Sequence, residues 1–240
     1  MWANKKANNP LLAVNCLLKG LKLLGHAELR QFLLIPVAIN VVLYSLFLFL
    51  GYHYVGQLIE QFIPSWLQWL SWVLWPLFFI SFFIVGFFTF TVFANLLSAP
   101  FYGKLSAKTL VVVNGGQAVN VVEQPVAKVI TAELKRAGYF ASRALPLLIV
   151  SFIPGLNLLA PFLWGFFGAW GVALEYLAYP LENEGVLFSE QRQLVQEAKL
   201  GALSFGGLVA VGLTLPLVNI IVAPVAVIAA TLYSRELKHQ

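Results

Sequence analysis

Charged residues divide the chain into long apolar intervals, and these intervals define the predicted elements. Four intervals contain no acidic residue, lysine or arginine: 29 residues between Arg30 and Glu60, 43 between Glu60 and Lys104, 31 between Arg143 and Glu175, and 35 between Lys199 and Arg235. About 20 apolar residues in a helix cross the hydrocarbon core of a bilayer. The pattern therefore predicts membrane helices, the first of which is a transmembrane helix over residues 32–55.

The second interval is too long for one crossing. A helix over residues 66–99 would measure about 51 Å, against a hydrocarbon core of about 30 Å. Tryptophan recurs at every third position near its start: Trp66, Trp69, Trp72 and Trp75. This spacing is typical of an interfacial aromatic belt that leads into a second transmembrane helix over residues 77–99. The alternative is an aromatic face that packs on a partner chain.

The third and fourth intervals each contain two prolines around an asparagine, in "PGLNLLAP" at 154–161 and "PLVNIIVAP" at 216–224. These motifs leave arms of roughly 10 to 16 residues, each too short for a comfortable crossing. We therefore predict two re-entrant, hemi-penetrating helical hairpins, over 144–174 and 200–234. In each, the first proline stops the incoming helix, the second suits the start of the outgoing helix, and the asparagine bonds exposed backbone groups. The alternative is that each interval is one kinked transmembrane helix.

The N-terminal segment, residues 1–30, predicts an interfacial amphipathic helix. Apolar residues share one face and polar residues another: Leu11, Val14, Leu18 and Leu21 on the first, and Asn15, Lys19 and Lys22 on the second. Cys16, the single cysteine, has no intramolecular disulfide partner and is predicted to be a small buried apolar residue.

Composition supports the membrane assignment. The 240 residues are 60% hydrophobic and 10% charged, with no aspartate, whereas a soluble domain is about 25% charged. The predicted fold class is an all-α integral membrane protein, in a single domain over 1–240. It comprises two transmembrane helices in 31–103, the two re-entrant hairpins and interfacial amphipathic helices.

Basic residues indicate the orientation. They are concentrated in residues 1–30 and 104–143, and none occurs between Arg30 and Lys104. The positive-inside rule places both segments in the cytoplasm, and returning hairpins place 175–199 and the C-terminus there as well. The connection at 52–65 is then outside. The net charge of +5 reflects this orientation, and we predict no nucleic-acid partner.

Two elements are predicted within the cytoplasmic segment 104–143. "VVVNGGQAVNVV" is compatible with a small hairpin on an Asn-Gly turn or with a loop. Residues 126–143 favour an amphipathic helix.

Enzyme signatures are absent from the sequence. It has no glycine-rich loop ending in Gly-Lys-Ser/Thr, and its three histidines, His26, His53 and His239, are far apart. With one cysteine and no aspartate, a metal cluster or a Ser-His-Asp triad is not expected. We predict no enzyme activity, no metal and no cofactor, which leaves transport or a structural role.

The segment "GHAELRQFLLIP" at 25–36 contains the most informative polar site. Helix N-termini bind oxyanions through backbone N–H groups, and a neighbouring arginine adds a forked donor. Arg30 and Gln31, with the backbone of 27–30, are therefore candidates to hold a tetrahedral anion. Glu28 disfavours this unless it pairs with a lysine or caps the helix. The alternative is that Arg30 anchors the helix at lipid headgroups.

Several ordered segments resemble one family, the CysZ family of bacterial sulfate permeases, over nearly the whole chain. They are "ELRQFLLIPVAIN", "PSWLQWLSWVLWPL", "ANLLSAPFYGKL", "FIPGLNLLAPFLWGFFGAW", "YPLEN" and "LPLVNIIVAPVAVIAATLY". The resemblance implies sulfate uptake for cysteine biosynthesis, a multi-pass inner-membrane location, two long transmembrane helices with hemi-penetrating hairpins, and homo-oligomers. The implied partners are the sulfate ion and membrane lipids.

The resemblance also implies a sulfate-binding stretch before the first long helix. The family's Gly-Leu/Ile-Arg-Arg pattern falls on Glu28, Leu29, Arg30 and Gln31. Arg30 keeps the first arginine, whereas Gln31 replaces the second and Glu28 replaces the glycine.

For the mechanism we predict a channel-like permease. Asn95, Asn157 and Asn219, with hairpin backbone, would replace the water around the anion, while Arg136 and Arg143 draw anions to the mouth. Each asparagine also has a structural interpretation as a turn or packing residue. The alternatives are a proton- or sodium-coupled symporter and a non-transporting scaffold that binds lipid or protein.

Overall fold

A computed structural model describes residues 5–62, 69–117 and 119–238, and all the regular secondary structure in these ranges is helical. The α-helices are α1 (Pro10–Leu24), α2 (Ala27–Phe62), α3 (Ser71–Val113), α4 (Val126–Phe152), α5 (Ala160–Asn183), α6 (Phe188–Glu197), α7 (Lys199–Leu213) and α8 (Pro216–Lys238). Short 3-10 turns occupy Lys5–Asn8 and Leu156–Leu159. The helical fold class is confirmed. Two compact units divide the chain, one over 1–33 and 101–240 and the other over 34–100.

Helix α8 is at the centre of the larger unit. Its residues from Val225 to Ala230 are buried, as are Tyr233 and Leu237. The Tyr233 ring stacks on Phe205 of α7, with ring centres 5.9 Å apart, and its hydroxyl donates a 2.6 Å hydrogen bond to the Ala7 carbonyl. The N-terminal segment and α7 are therefore held against the same face of α8.

Helix α1 confirms the predicted N-terminal helix but buries a different face from the one the leucines define. Asn9 caps it by accepting a 2.9 Å hydrogen bond from the Leu11 amide, and Pro10 occupies the first turn. The buried residues are Ala13, Cys16, Gly20 and Leu24, so the predicted burial of Cys16 is confirmed. The predicted apolar face is largely exposed: Leu11, Leu18 and Leu21.

Helix α3 does not end near residue 99, where the predicted second span ends. The helix continues to Val113 because its last turns pack in the core of the larger unit. Leu105, Ser106 and Thr109 are fully buried, and Thr231 of α8 donates a 2.9 Å hydrogen bond to Ser106. The charge of Lys104 marked the end of the apolar interval but not the end of the helix.

In the smaller unit, α2 and α3 contact each other through aromatic rings. The ring centres of Tyr52 and Trp75 are 5.1 Å apart. A Cβ on Gly51 would lie 3.1 Å from the Phe78 ring, so the helices approach closely there. Trp69 and Trp72 are exposed, whereas the belt residue Trp66 lies outside the described residues.

In both predicted hairpins, the helices on either side of the turn contact each other. In the first, α4 and α5 are joined at residues 153–159, and the Trp164 indole N–H donates a 3.1 Å hydrogen bond across the pair to Ser151. Pro154 follows the incoming helix and Pro161 begins the outgoing one, as predicted. In the second, Pro216 starts α8 and Pro224 lies inside it, so the predicted roles of these two prolines are wrong.

Three of the four predicted arms are too short, because α4, α5 and α8 continue through the charges that delimited the intervals, whereas the 15 residues of α7 fit the arm predicted at 200–215. Two stretches, Leu156–Asn183 and Val218–Lys238, are long and apolar enough to cross a membrane by length and composition. Helices α6 and α7 form an apolar pair bent by 105°. Beyond Glu175, however, α5 is buried in protein, with Tyr176, Leu177 and Leu181 in the core.

The connection between α3 and α4 is a loop. Gly115 and Gly116 have φ angles of 69° and 90°, which glycine adopts without strain. The loop is attached to α5 by a 2.8 Å hydrogen bond from the Val122 amide to the Asn183 carbonyl. The predicted amphipathic helix at 126–143 is confirmed, and it extends as α4 to Phe152.

Candidate functional site

The start of α2 follows directly from a tight turn after α1. The Gly25 amide donates to the Lys22 carbonyl at 3.2 Å, which closes α1, and α2 begins at Ala27. The His26 carbonyl then accepts 3.0 Å hydrogen bonds from the amides of Leu29 and Arg30. The expectation that these two amides are open to an anion is therefore wrong.

The four residues matched to the sulfate-binding stretch have different surroundings. Arg30 and Gln31 are exposed, and the Gln31 side chain donates a 2.9 Å hydrogen bond to the Glu28 carbonyl. Leu29 is fully buried and belongs to the core. The Glu28 carboxylate forms a 3.0 Å ion pair with the Lys108 ammonium of α3.

The Glu28–Lys108 pair changes the electrostatics of the site. The Lys108 side chain donates a hydrogen bond to Glu28 and lowers the pKa of that carboxyl below its ordinary value. Glu28 therefore pairs with a lysine, as the sequence requires for an anion site beside this carboxylate. Lys104, which is exposed, lies one turn before Lys108 on the same side of α3. With Arg30, these residues leave the start of α2 net positive.

Arg136 does not present a free charge. It lies 2.9 Å from Glu133 and 3.0 Å from Glu182, and it donates a 2.9 Å hydrogen bond to the Gln191 side chain. This network joins α4, α5 and α6. Its geometry supports a structural role for Arg136 more than attraction of anions.

Arg143 lies against a tyrosine. Its guanidinium carbon is 3.7 Å from the centre of the Tyr139 ring, and it donates a 3.3 Å hydrogen bond to the Tyr139 carbonyl. Among the described residues it has no carboxylate partner. Arg143 therefore remains a candidate to attract anions.

The asparagine candidates occupy helix starts and helix interiors. Asn157 lies in the 3-10 turn of the first hairpin and Asn219 in the first turn of α8, and both are exposed. Among the described residues, neither side chain forms the predicted hydrogen bond to the backbone of its hairpin. Asn95 lies within α3, outside the residues whose side chains are described.

Sequence reasoning missed Lys108 as a partner of the site. It is 80 residues from Glu28 in the chain, and no local pattern connects the two. The one signal in the sequence was Glu28 itself, because a carboxylate beside a predicted anion site needs a cation to compensate for its charge.

The helical fold, its exposed apolar hairpins and its long apolar helices define a multi-pass helical membrane protein. The family model described as "Sulfate transporter CysZ/Etoposide-induced protein 2.4" matches residues 16–224. The chain belongs to this family.

Similar proteins extend over most of the chain. A protein named "Sulfate transporter CysZ" from Pseudomonas fluorescens (strain Pf0-1) is 38% identical over 227 residues, covering 90% of this chain and 89% of the relative. The protein of that name from Pseudomonas syringae pv. tomato is 39% identical over 228 residues, covering 90% and 88%. That from Pectobacterium atrosepticum is 33% identical over 235 residues, covering 94% and 85%.

Proposed function

We propose that this protein takes up sulfate across the bacterial inner membrane as a channel-like permease that feeds sulfate assimilation and cysteine biosynthesis. The observation that carries the proposal is the family match over residues 16–224, together with relatives named as sulfate transporters. The net positive start of α2 supports it with a site of suitable chemistry. The protein acts as a homo-oligomer in this proposal.

The distribution of apolar surface supports re-entrant hairpins. Along α5 and α8, the exposed large apolar side chains lie near the hairpin turns, among them Phe162 and Ile220, and Phe152, Leu158 and Val211 beside the turns are exposed as well. The distal parts of α5 and α8 are instead covered by protein. The turn of each hairpin is therefore apolar and exposed, while the far ends of its helices are covered by protein. This arrangement fits a hairpin whose turn lies in lipid and whose far ends are held by the rest of the larger unit.

The proposed anion site uses exposed donors at the start of α2. Arg30 provides a planar fork that matches a sulfate edge, and Gln31 adds a neutral amide donor. Lys108 is 3.0 Å from Glu28 and shields the anion from that carboxylate. A glutamate in this position therefore tunes the affinity of the site without abolishing it.

Transport in this proposal is passive. Moving a divalent anion into a negative interior costs about 4.6 kcal/mol per 100 mV, twice the cost for one charge. Uptake therefore needs an external excess or rapid consumption inside. Asn95, Asn157, Asn219 and hairpin backbone would replace hydration along the path, and Arg143 would attract anions to its mouth.

The test is sulfate flux into proteoliposomes that contain the full chain. We expect radiolabelled sulfate to enter down its gradient, and Arg30→Gln to reduce the initial rate about tenfold at low sulfate, because a charge-assisted contact is lost. Lys19→Gln, on the exposed polar face of α1, is the control for charge alone. Flux equal to that of empty liposomes would support the scaffold alternative. A marked acceleration by an inward proton or sodium gradient would instead support a symporter.

A further inference from the structure

A second basic site lies between α4 and α6, away from the start of α2 in the chain. An open cleft of about 380 Å³ is lined by polar side chains from both helices: Lys135, Ser142 and Arg143 of α4, and Ser189 and Arg192 of α6. No carboxylate lines it. We call this region the α4–α6 cleft.

The cleft continues along α4 with the same chemistry. An adjoining cavity of about 300 Å³ shares Lys135 and Ser189 and adds Lys128 and Thr131. The spacing of Lys128, Thr131 and Lys135 places them on one face of α4, as i, i+3 and i+7 positions. One helix face therefore presents cations and hydroxyls to the opposing α6.

Two of the cations, Arg143 and Arg192, lie against the aromatic ring of Tyr139. The guanidinium carbons of Arg143 and Arg192 lie 3.7 Å and 5.3 Å from the centre of the Tyr139 ring. Tyr139 is itself immobilised, since it is buried and its hydroxyl accepts a 2.9 Å hydrogen bond from the Trp170 indole. Two guanidinium groups are thus positioned before any ligand arrives.

Among the residues that the structure describes, no ion pair balances the cations that line the cleft. The nearby carboxylates of Glu133 and Glu182 pair with Arg136. In the described part of the chain, Lys135, Arg143 and Arg192 form no ion pair, and the buried Nε of Arg192 has no hydrogen-bond acceptor. A buried donor without an acceptor is unusual and calls for an explanation, of which a bound anion is one.

We propose that the α4–α6 cleft is an oxyanion-binding site, distinct from the start of α2. Its ligand is a tetrahedral sulfate or phosphate group, either as the free ion or as a lipid headgroup. The arginine guanidiniums supply planar forks, Lys135 supplies a point charge, and Ser142 and Ser189 supply hydroxyl donors. Ser189 is also in the first turn of α6, where the helix dipole favours an anion.

The free-ion arm measures equilibrium binding of radiolabelled sulfate to the full chain in detergent. Arg30→Gln serves as the background, so that loss of the site at α2 does not obscure the cleft. In this background we expect Arg192→Gln to weaken the remaining binding about tenfold and Lys135→Gln about threefold. Lys135 is exposed, so its variant tests the site without disturbing packing. Lys19→Gln is the matched control and should leave binding unchanged.

The lipid arm uses the same variants in nanodiscs of phosphatidylcholine with and without phosphatidylglycerol. If a headgroup phosphate occupies the cleft, the protein should retain phosphatidylglycerol, and both Arg192→Gln and Lys135→Gln should reduce this retention. The cleft should then show no saturable sulfate binding. Sulfate binding that the same variants weaken would identify the free ion. The proposal is overturned if neither ligand responds to either variant. Sulfate binding that is lost with Arg30→Gln alone, together with phosphatidylglycerol retention that neither cleft variant changes, would support the proposed function and reject the cleft.

Discussion

At the scale of single residues, the anion site at α2 depends on a balance between opposite charges. Arg30 and Gln31 are exposed donors, whereas Glu28 places a negative charge beside them. The Lys108 ammonium, 3.0 Å from Glu28, compensates for that charge. This arrangement keeps a cationic surface where a plain Glu-Leu-Arg-Gln stretch would be close to neutral.

Removing the carboxylate should therefore tighten sulfate binding. We expect Glu28→Gln to raise the affinity about fivefold, because a like charge is removed and Lys108 is released to face the anion. Isothermal titration with sulfate at constant ionic strength measures the change. Glu123→Gln, an exposed acid in the loop before α4, is the control. Unchanged or weaker binding to Glu28→Gln would mean that sulfate binds elsewhere.

Cys16 should react slowly with thiol reagents until the protein unfolds. Burial, with a smaller contribution from Glu236, raises the pKa of this thiol to about 11. Since the thiolate is the reactive form, labelling at pH 8 should be slow and should accelerate as the pH approaches 11. Because the folded pKa exceeds the ordinary value, the contribution of the protonated thiol to stability is present below pH 9.0 and is lost as the pH rises through about 11.

Maleimide labelling followed by mass spectrometry checks this prediction, because the chain has a single cysteine. The control is Asn15→Cys in a Cys16→Ala background, which places the thiol on the exposed face of α1. Comparable labelling rates at the two positions would contradict the packing of α1 on α8.

Local residue patterns predicted some of these features and not others. The burial of Cys16 and the need for a cation near Glu28 followed from chemistry within a few residues. Lys108 and Arg192 did not, because each joins its site only through tertiary packing over 50 or more residues. Side-chain partners at such separations have no signature in hydropathy.

At the scale of elements, apolar intervals predicted where helices lie, but not where they end. The ends of α3 and α5 were misplaced because Lys104 and Glu175 interrupt the hydropathy without interrupting the helix. Both helices continue into protein contacts that stabilise their last turns. The turn at Pro154–Pro161 was predicted correctly because its prolines act on local backbone geometry.

The crossing of α5 and α7 provides a sharp test of packing. A Cβ on Gly206 would clash with the Ala169 carbonyl and lie 2.8 Å from the Ala173 nitrogen. We expect Gly206→Ala to destabilise the protein by about 1–3 kcal/mol, since overpacking exceeds the gain in helix propensity. Thermal unfolding in detergent measures the effect.

The adjacent glycine is a matched control for this variant. A Cβ on Gly207 would lie 3.7 Å from the Ala169 side chain, an ordinary contact. Gly207→Ala should therefore be neutral or stabilising by up to about 1 kcal/mol. Equal effects of the two substitutions would show that α5 and α7 do not approach as described.

At the scale of the whole molecule, membrane sidedness decides between re-entrant hairpins and crossing helices. Length alone permits Leu156–Asn183 to cross. The exposed side chains of Phe152, Leu158 and Phe162 nevertheless cluster at the turn, while the far end of α5 is buried in protein. This asymmetry favours an inserted tip over a through-going helix.

Single cysteines on the two sides of the first hairpin test this arrangement in a Cys16→Ala background. Lys128 precedes it and Gln193 follows it, and both are exposed. We expect an impermeant maleimide to label cysteines at these positions from the same, cytoplasmic face of inside-out vesicles. Lipid-soluble oxygen should enhance the spin relaxation of a nitroxide at Leu158, and an aqueous nickel chelate should have little effect on it, as expected for a hairpin turn in hydrocarbon.

Labelling of 128 and 193 from opposite faces would show that α5 crosses the bilayer. In that case the positive-inside assignment of 175–199, and a path for sulfate between two hairpin tips, would both have to be abandoned.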